Sequence, residues 1–356
     1  MITDLISERS VIVCCGSGGV GKTTMAASIG LAAATLGRKV VVITVDPARR
    51  LGDALGLENG LGADPARVVL PDDVSGELWA MMLDPATELE RVIRTTAVRP
   101  GQADEALANP FTQSIATSLG GTQEYMATEA VYRLTSDEAF DLVVVDTPPS
   151  DKAMAVVEAP DVLVKFLDHQ VFKLLMGTGG RAARLLSAAT QPLLRAVGRV
   201  IGSNVLNDVV EFLRAFTGME TSFRQRAITV QKMWRSDSTA FVLVATPTTE
   251  SLNEISRFND ELVSAGISST ALIANGATTE VSIDAETSGH LPASASEWLR
   301  WQSDLAESER TVLTARNADL PEVTMVGRLH EDVHDVDGLL QLADELVSTS
   351  SREKLQ

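Results

Sequence analysis

The chain is poor in several things at once, and each shortage removes a class of function. It has two cysteines in 356 residues, and they are neighbours, Cys14 and Cys15. Adjacent residues on a strand point to opposite faces, so the pair makes neither an ordinary disulfide nor a CxxC metal site. It reads as two small core residues in a reducing compartment. Basic residues are outnumbered, 30 Lys and Arg against 48 Asp and Glu, for a net charge of −18. That balance opposes binding to a phosphate backbone, so no nucleic-acid partner is expected. No apolar run approaches the roughly 18 residues that a membrane span needs. The start is broken up by Asp4, Glu8 and Arg9 and shows no signal-peptide pattern, so a cytoplasmic protein is expected.

What is present is a set of short, β-branched apolar runs separated by helical patterns. The runs are Val11–Cys15, Val40–Val45, Leu78–Leu83, Leu142–Val145, Phe241–Ala245, Ala271–Ala274 and Val323–Val326. Continuous apolar strands alternating with helices predict an α/β fold with a mostly parallel, doubly wound sheet covered on both faces. Ligands of such sheets lie at the carboxyl ends of the strands, so functional residues belong just after the runs. Asp46, Asp146 and Asn275 fall there.

Residues 152–235 differ, with no strand pattern and with 12 Lys/Arg against 6 Asp/Glu. We read them as a helical subdomain inserted between two parts of a nucleotide-binding core, 1–151 and 236–347, with a frayed tail at 348–356. A continuous helix over 181–201 would gather Arg181, Arg184, Arg195 and Arg199 on one face and Leu186, Leu193, Leu194, Val197, Val200 and Ile201 on the other. Pro192 can reset that phase. Such a helix is either a lid with a solvated basic face or a surface for an apolar protein segment or a membrane-associated partner.

The strongest motif is Gly16-Ser17-Gly18-Gly19-Val20-Gly21-Lys22-Thr23-Thr24, directly after the first run. It is a complete phosphate-binding loop between a strand and a helix, which makes the chain a P-loop NTPase. Gly18, Gly19 and Gly21 let the backbone, with that of Val20, curl its N–H groups toward phosphate oxygens. Lys22 brings a cation to the β and γ phosphates, the Thr23 hydroxyl can ligate Mg²⁺, and the helix from Thr24 onward aims its positive end at the anion. The expected cofactors are ATP or ADP and Mg²⁺. The segments Asp46-Pro47-Ala48-Arg49-Arg50-Leu51-Gly52-Asp53-Ala54-Leu55 and Asp146-Thr147-Pro148-Pro149-Ser150 then supply carboxylates that can hold Mg²⁺ or orient an attacking water. Their turns suit loops that respond to the γ-phosphate.

Together these residues resemble the arsenical-pump and tail-anchored-protein-targeting ATPase family, within the dimeric ATPases with a deviant phosphate loop. The resemblance also takes in Leu78-Trp79-Ala80-Met81-Met82-Leu83-Asp84-Pro85, Gly121-Thr122-Gln123-Glu124, the strand ending Ala274-Asn275 and, more loosely, 323–326 and 332–335. It implies that Lys22 and Asp46 are catalytic, Asp46 as the switch I residue that positions water. It implies that Asp146 is the switch II residue near Mg²⁺, with Thr23 and Asp46, and that Asn275 reads the adenine edge. It implies a dimer, either of identical subunits or with a related ATPase, that couples nucleotide state to capture or release of a partner.

Several departures from the family shape the expectation. Ser17 stands where the family has a second lysine that reaches the partner subunit's nucleotide. Cations in that role are worth about 10³–10⁵ in rate, so a homodimer is expected to be slow, or to need a lysine-bearing paralogue. Residues 276–356 hold no cysteine, so the zinc clamp of the eukaryotic targeting dimer is not expected, and soft ligands for metalloid transport are missing. Asp151-Lys152 stands where targeting members usually have Gly-His. A septum-site or partition role fits poorly with a tail carrying Asp335, Asp337, Asp344, Glu345 and Glu353 against Arg352 and Lys354. An iron–sulfur role lacks cysteines for the cluster. The string His330-Glu331-Asp332-Val333-His334 matches the zinc-protease pattern H-E-x-x-H, but it follows a strand among further aspartates and reads as a solvated turn.

Overall fold

A computed structural model describes residues 2–46, 50–57, 60–118, 121–136, 139–170, 211–279, 292–316, 320–329, 333 and 335–349. The basic stretch 181–201 lies outside the described residues.

Eight strands form one sheet. In chain order they are β1 (Val11–Gly16), β2 (Lys39–Thr44), β3 (Ala66–Arg67), β4 (Glu77–Met82), β5 (Leu142–Asp146), β6 (Thr239–Ala245), β7 (Ser269–Ala277) and β8 (Val323–Gly327). Their spatial order is β3-β4-β2-β5-β1-β6-β7-β8, and every pairing is parallel except β3 with β4. All seven apolar runs are strands. β3 is an eighth that the runs did not indicate, because two edge residues carry no alternation to read. Asn275 was expected just past its strand, but its backbone still pairs with Val326, so it lies within β7. Asp46 lies two residues beyond the end of β2.

The helices are α1 (Ile2–Glu8), α2 (Lys22–Thr35), α3 (Arg50–Ala54), α4 (Pro85–Thr96), α5 (Gln102–Ala108), α6 (Pro110–Ser118), α7 (Thr122–Ser136) and α8 (Ser150–Asp168). They continue with α9 (Glu220–Trp234), α10 (Thr249–Ser264), α11 (Ala293–Thr314) and α12 (Val336–Thr349). α12 carries Ser348 and Thr349 in helix, and residues 350–356 lie outside the description. No described helix is long and apolar enough to cross a membrane.

The chain divides into two compact units, Met1–Met82 with Arg133–Met154 and Arg235–Gln356, and Leu83–Tyr132 with Ala155–Trp234. The first unit holds the sheet. One of its faces presents Ile12, Cys14, Val40, Val42, Val144 and Ile273 to α1, α2 and α12, with residues two apart on each strand facing the same way. Val11, Val13, Val41, Val143 and Leu243 are buried on the other face. Both faces being dry explains why the runs are continuous rather than alternating. α2 sits close to the sheet because Gly30 lacks a side chain; a Cβ there would come within 2.7 Å of Val42.

The second unit is helical in its described residues. It draws on 83–132 as well as on the later stretch. α4 is capped by Asp84, whose carboxylate accepts from the N–H groups of Ala86 at 2.9 Å and Thr87 at 3.2 Å, with Pro85 at the first helical position. Its core packs Leu89, Ile93, Met126, Leu167, Phe216 and Phe223. Inside it, the fully buried Glu129 of α7 accepts from Arg226 of α9 at 2.7 Å and from the Tyr125 hydroxyl, and the guanidinium lies 4.8 Å from the Tyr132 ring centroid.

Candidate active site

The site forms where β1 stops and α2 begins. Gly19 and Gly21 have φ of 82° and 88°, in the left-handed region that glycine adopts without strain. This lets the chain turn sharply from Gly16 and start a helix at Lys22. A Cβ on Gly21 would also come within 2.3 Å of Asn275 Nδ2, so that position is closed twice over. The Asn275 amide donates to the Val20 carbonyl at 2.8 Å, tying β7 to the loop. Val20 itself turns inward and packs with the core.

Lys22 is buried, and its ammonium donates to the Ser17 carbonyl at 2.7 Å. Burial pushes its pKa down, while Asp146, Cys15, Asp46 and Glu254 oppose that shift. Ser17 is itself buried and brings no charge.

Asp146 ends β5 and is 1% exposed. Its Oδ2 accepts from two hydroxyls, Thr23 Oγ1 at 2.9 Å and Thr44 Oγ1 at 2.9 Å. Its Oδ1 is buried with no hydrogen-bond partner. Burial raises the carboxyl pKa to about 6, against the pull of Thr23, Thr44 and Lys22. Asp46 follows through Thr44, whose hydroxyl accepts from the Asp46 N–H at 3.3 Å. Beyond Asp146, the Thr147 hydroxyl donates to the Cys14 carbonyl at 2.7 Å.

These groups surround a cavity of about 340 Å³ lined by Gly18, Gly19, Gly21, Lys22, Thr23, Thr24, Asp46, Asp53, Ala54, Thr147, Pro149 and Val333. Of the residues singled out in the sequence, the loop glycines, Lys22, Thr23, Thr24 and Asp46 face it together. Asp146 lies buried against Thr23, and Asn275 braces the loop from outside the lining. Pro47 and Ala48 lie outside the described residues, as do His330, Glu331, Asp332 and His334. Both thiols are buried and free; burial raises Cys14 well above the usual range and pushes Cys15 up to about 12, so they stay protonated.

Sequence reasoning missed Thr44 and gave no site role to Asp53 or Ala54. Thr44 had a signal, as the one hydroxyl in Val40-Val41-Val42-Ile43-Thr44-Val45, at the end of the strand where ligands gather. Asp53 and Ala54 stand in the segment that follows the second strand, but their residue types alone gave no reason to place them at the cavity wall.

A parallel sheet with a glycine-rich loop at the carboxyl end of a central strand, a buried lysine on that loop and a hydroxyl–carboxylate pair beside it define a P-loop NTPase. A model of the anion-transporting ATPase family matches residues 9–292, and the chain belongs to that family and is an ATPase. It is similar to the ATPase GET3 of Malassezia globosa, 28% identical over 277 residues, which cover 77% of this chain and 75% of the relative. It is also similar to the ATPase get3 of Neurospora crassa, 26% identical over 284 residues with the same coverage. The ATPase GET3 of Podospora anserina is 27% identical over 277 residues.

Proposed function

We propose that this ATPase is a Mg²⁺-dependent, dimeric switch that captures or releases a partner through its helical unit according to the nucleotide it holds. The observation that carries the reading is Asp146. A carboxylate is kept 1% exposed, with two hydroxyls on one oxygen and nothing on the other, beside the phosphate loop. An unpaired buried oxygen costs about 1–3 kcal/mol, more when charged, and a divalent ion at that oxygen removes the penalty. No group of three or more His, Cys, Asp or Glu able to hold a metal occurs among the described residues. That suits Mg²⁺, which keeps waters and phosphate oxygens and takes few protein ligands.

Thr23 and Asp146, with Asp46 nearby, would hold the ion, whose charge then offsets that of the β and γ phosphates. The chain's own groups do the rest. Loop N–H groups cradle the phosphates, and Lys22 exchanges the Ser17 carbonyl for phosphate oxygens. Asp46, at the cavity wall, orients water for attack, and Asn275 meets the adenine edge while its amide holds Val20. The partner, an apolar protein segment or a membrane-associated one, is inferred from the resemblance to targeting ATPases.

A second reading has its own support. Ser17 is 7% exposed and uncharged where the family carries a cation. The chain would then be a low-activity nucleotide-binding subunit that completes its site with a lysine-bearing paralogue. Single-turnover hydrolysis with Mg²⁺, beside Lys22→Ala and Ser17→Lys, separates the two. Turnover above the Lys22→Ala background supports the self-sufficient switch. Bound but unhydrolysed ATP, with activity restored by Ser17→Lys, supports the subunit.

A further inference from the structure

Ser150 stands four residues past Asp146, at the first position of α8, and is buried. Its hydroxyl donates to Glu254 Oε1 of α10 at 2.6 Å, across 104 positions of sequence. The turn ahead of it, Thr147-Pro148-Pro149, includes two residues without an N–H, so its backbone can form few bonds of its own. At one end Thr147 is anchored to the Cys14 carbonyl. At the other end the anchor is the Ser150–Glu254 bond. Thr147 and Pro149 both line the cavity beside Lys22, so the two anchors set the position of that wall. The Glu254 carboxylate also reaches Lys22 electrostatically and favours its charged form.

We infer that Glu254 is a positioning residue for hydrolysis, holding the 147–150 turn in place through Ser150. The inference rests on the hydrolytic switch proposed above. A hydroxyl donating to a carboxylate makes a charge-assisted bond, with its donor end buried at Ser150 and its acceptor, Glu254, exposed. Its loss leaves the loop glycines, Lys22 and Asn275 in place, so nucleotide binding survives. What changes is where the wall meets the reacting phosphate, and a misplacement of about 1 Å there can cost on the order of 10²-fold in rate.

The test is steady-state hydrolysis by Glu254→Ala, Ser150→Ala, the double variant and Ser150→Thr, with wild type and Lys22→Ala alongside. Each single alanine variant is expected to lower kcat about tenfold or more with KM for ATP within about twofold, and the double variant to fall no further than Glu254→Ala alone, which removes both the shared contact and the charge that acts on Lys22. Ser150→Thr keeps the hydroxyl and should retain most of kcat. Hydrogen exchange at the amides of residues 150–153 should quicken in Glu254→Ala. An active Glu254→Ala, independent losses in the double variant, or a raised KM at constant kcat overturns the inference. So does unchanged exchange at 150–153, whatever happens to turnover. Failure of the parent reading is distinct: it shows as a wild type no faster than Lys22→Ala.

Discussion

Replacing Asp146 with asparagine is expected to stabilise the nucleotide-free protein while ending its hydrolysis. The carboxyl has a pKa of about 6 in the folded chain, raised chiefly by burial, against about 3.9 in an unfolded one. The folded state therefore holds the proton more tightly. The stabilisation this gives is complete below about pH 4 and is lost as pH rises through about 6. Above that, the ionised carboxylate costs the folded state about 3 kcal/mol. Asparagine never ionises, and its carbonyl can still accept from Thr23 and Thr44. Its amide nitrogen, however, would replace the oxygen that has no partner, at a cost of about 1 kcal/mol or more. The net expected gain is about 1–2 kcal/mol near neutral pH. Urea unfolding in EDTA, from about pH 5 to about pH 8, reads it directly. The wild-type midpoint should fall with rising pH, that of Asp146→Asn should stay flatter, and the curves should separate above about pH 6. Adding Mg²⁺ and ATP should reverse the order, because only the carboxylate gains from the ion. A variant less stable than wild type at neutral pH, or parallel pH profiles, would refute the argument.

Three further outcomes follow from the same geometry. Gly21→Ala should weaken ATP binding about tenfold or more, measured by titration calorimetry, because it forces a left-handed φ and a contact with Asn275. Arg226→Met should destabilise the helical unit by about 3–5 kcal/mol by leaving the buried Glu129 unpaired, and adding Glu129→Gln should recover most of that in urea unfolding. Ser17→Lys should raise kcat, by as much as about 10³ if the cation reaches a partner's nucleotide, and leave ATP affinity nearly unchanged.

The parts of this molecule legible in the sequence are those fixed by local pattern. Val11–Cys15 and Leu142–Val145 announce buried strands because both faces are covered, and the phosphate loop carries its own glycines and lysine. Bonds between distant segments leave no such trace. Thr44 meets Asp146 because β2 and β5 pair in register, which a single run cannot reveal. Ser150 reads as an ordinary helix-start residue and Glu254 as an ordinary helix-surface carboxylate until the fold brings the first residue of α8 to α10. The grouping of 83–132 with 155–234 is also invisible to composition, since nothing in the local pattern of α4 or α7 says which distant helices they pack on. Asn275 shows the same limit in a milder form: its type and neighbourhood were readable, but its bond to Val20 was not.

If the proposed switch moves α8, that helix would give it a mechanical outlet. It is nineteen residues long, from the turn after Asp146 to Asp168, so it extends about 28 Å at the usual helical rise. A tilt of about 5° at Ser150 therefore carries Asp168 through about 2.5 Å, provided the helix moves as one rod. Pro160 sits midway and removes one rung of the backbone ladder, so it sets how much of the stroke is transmitted and how much is absorbed as bending. The gain of such a lever would then depend on one residue inside the helix.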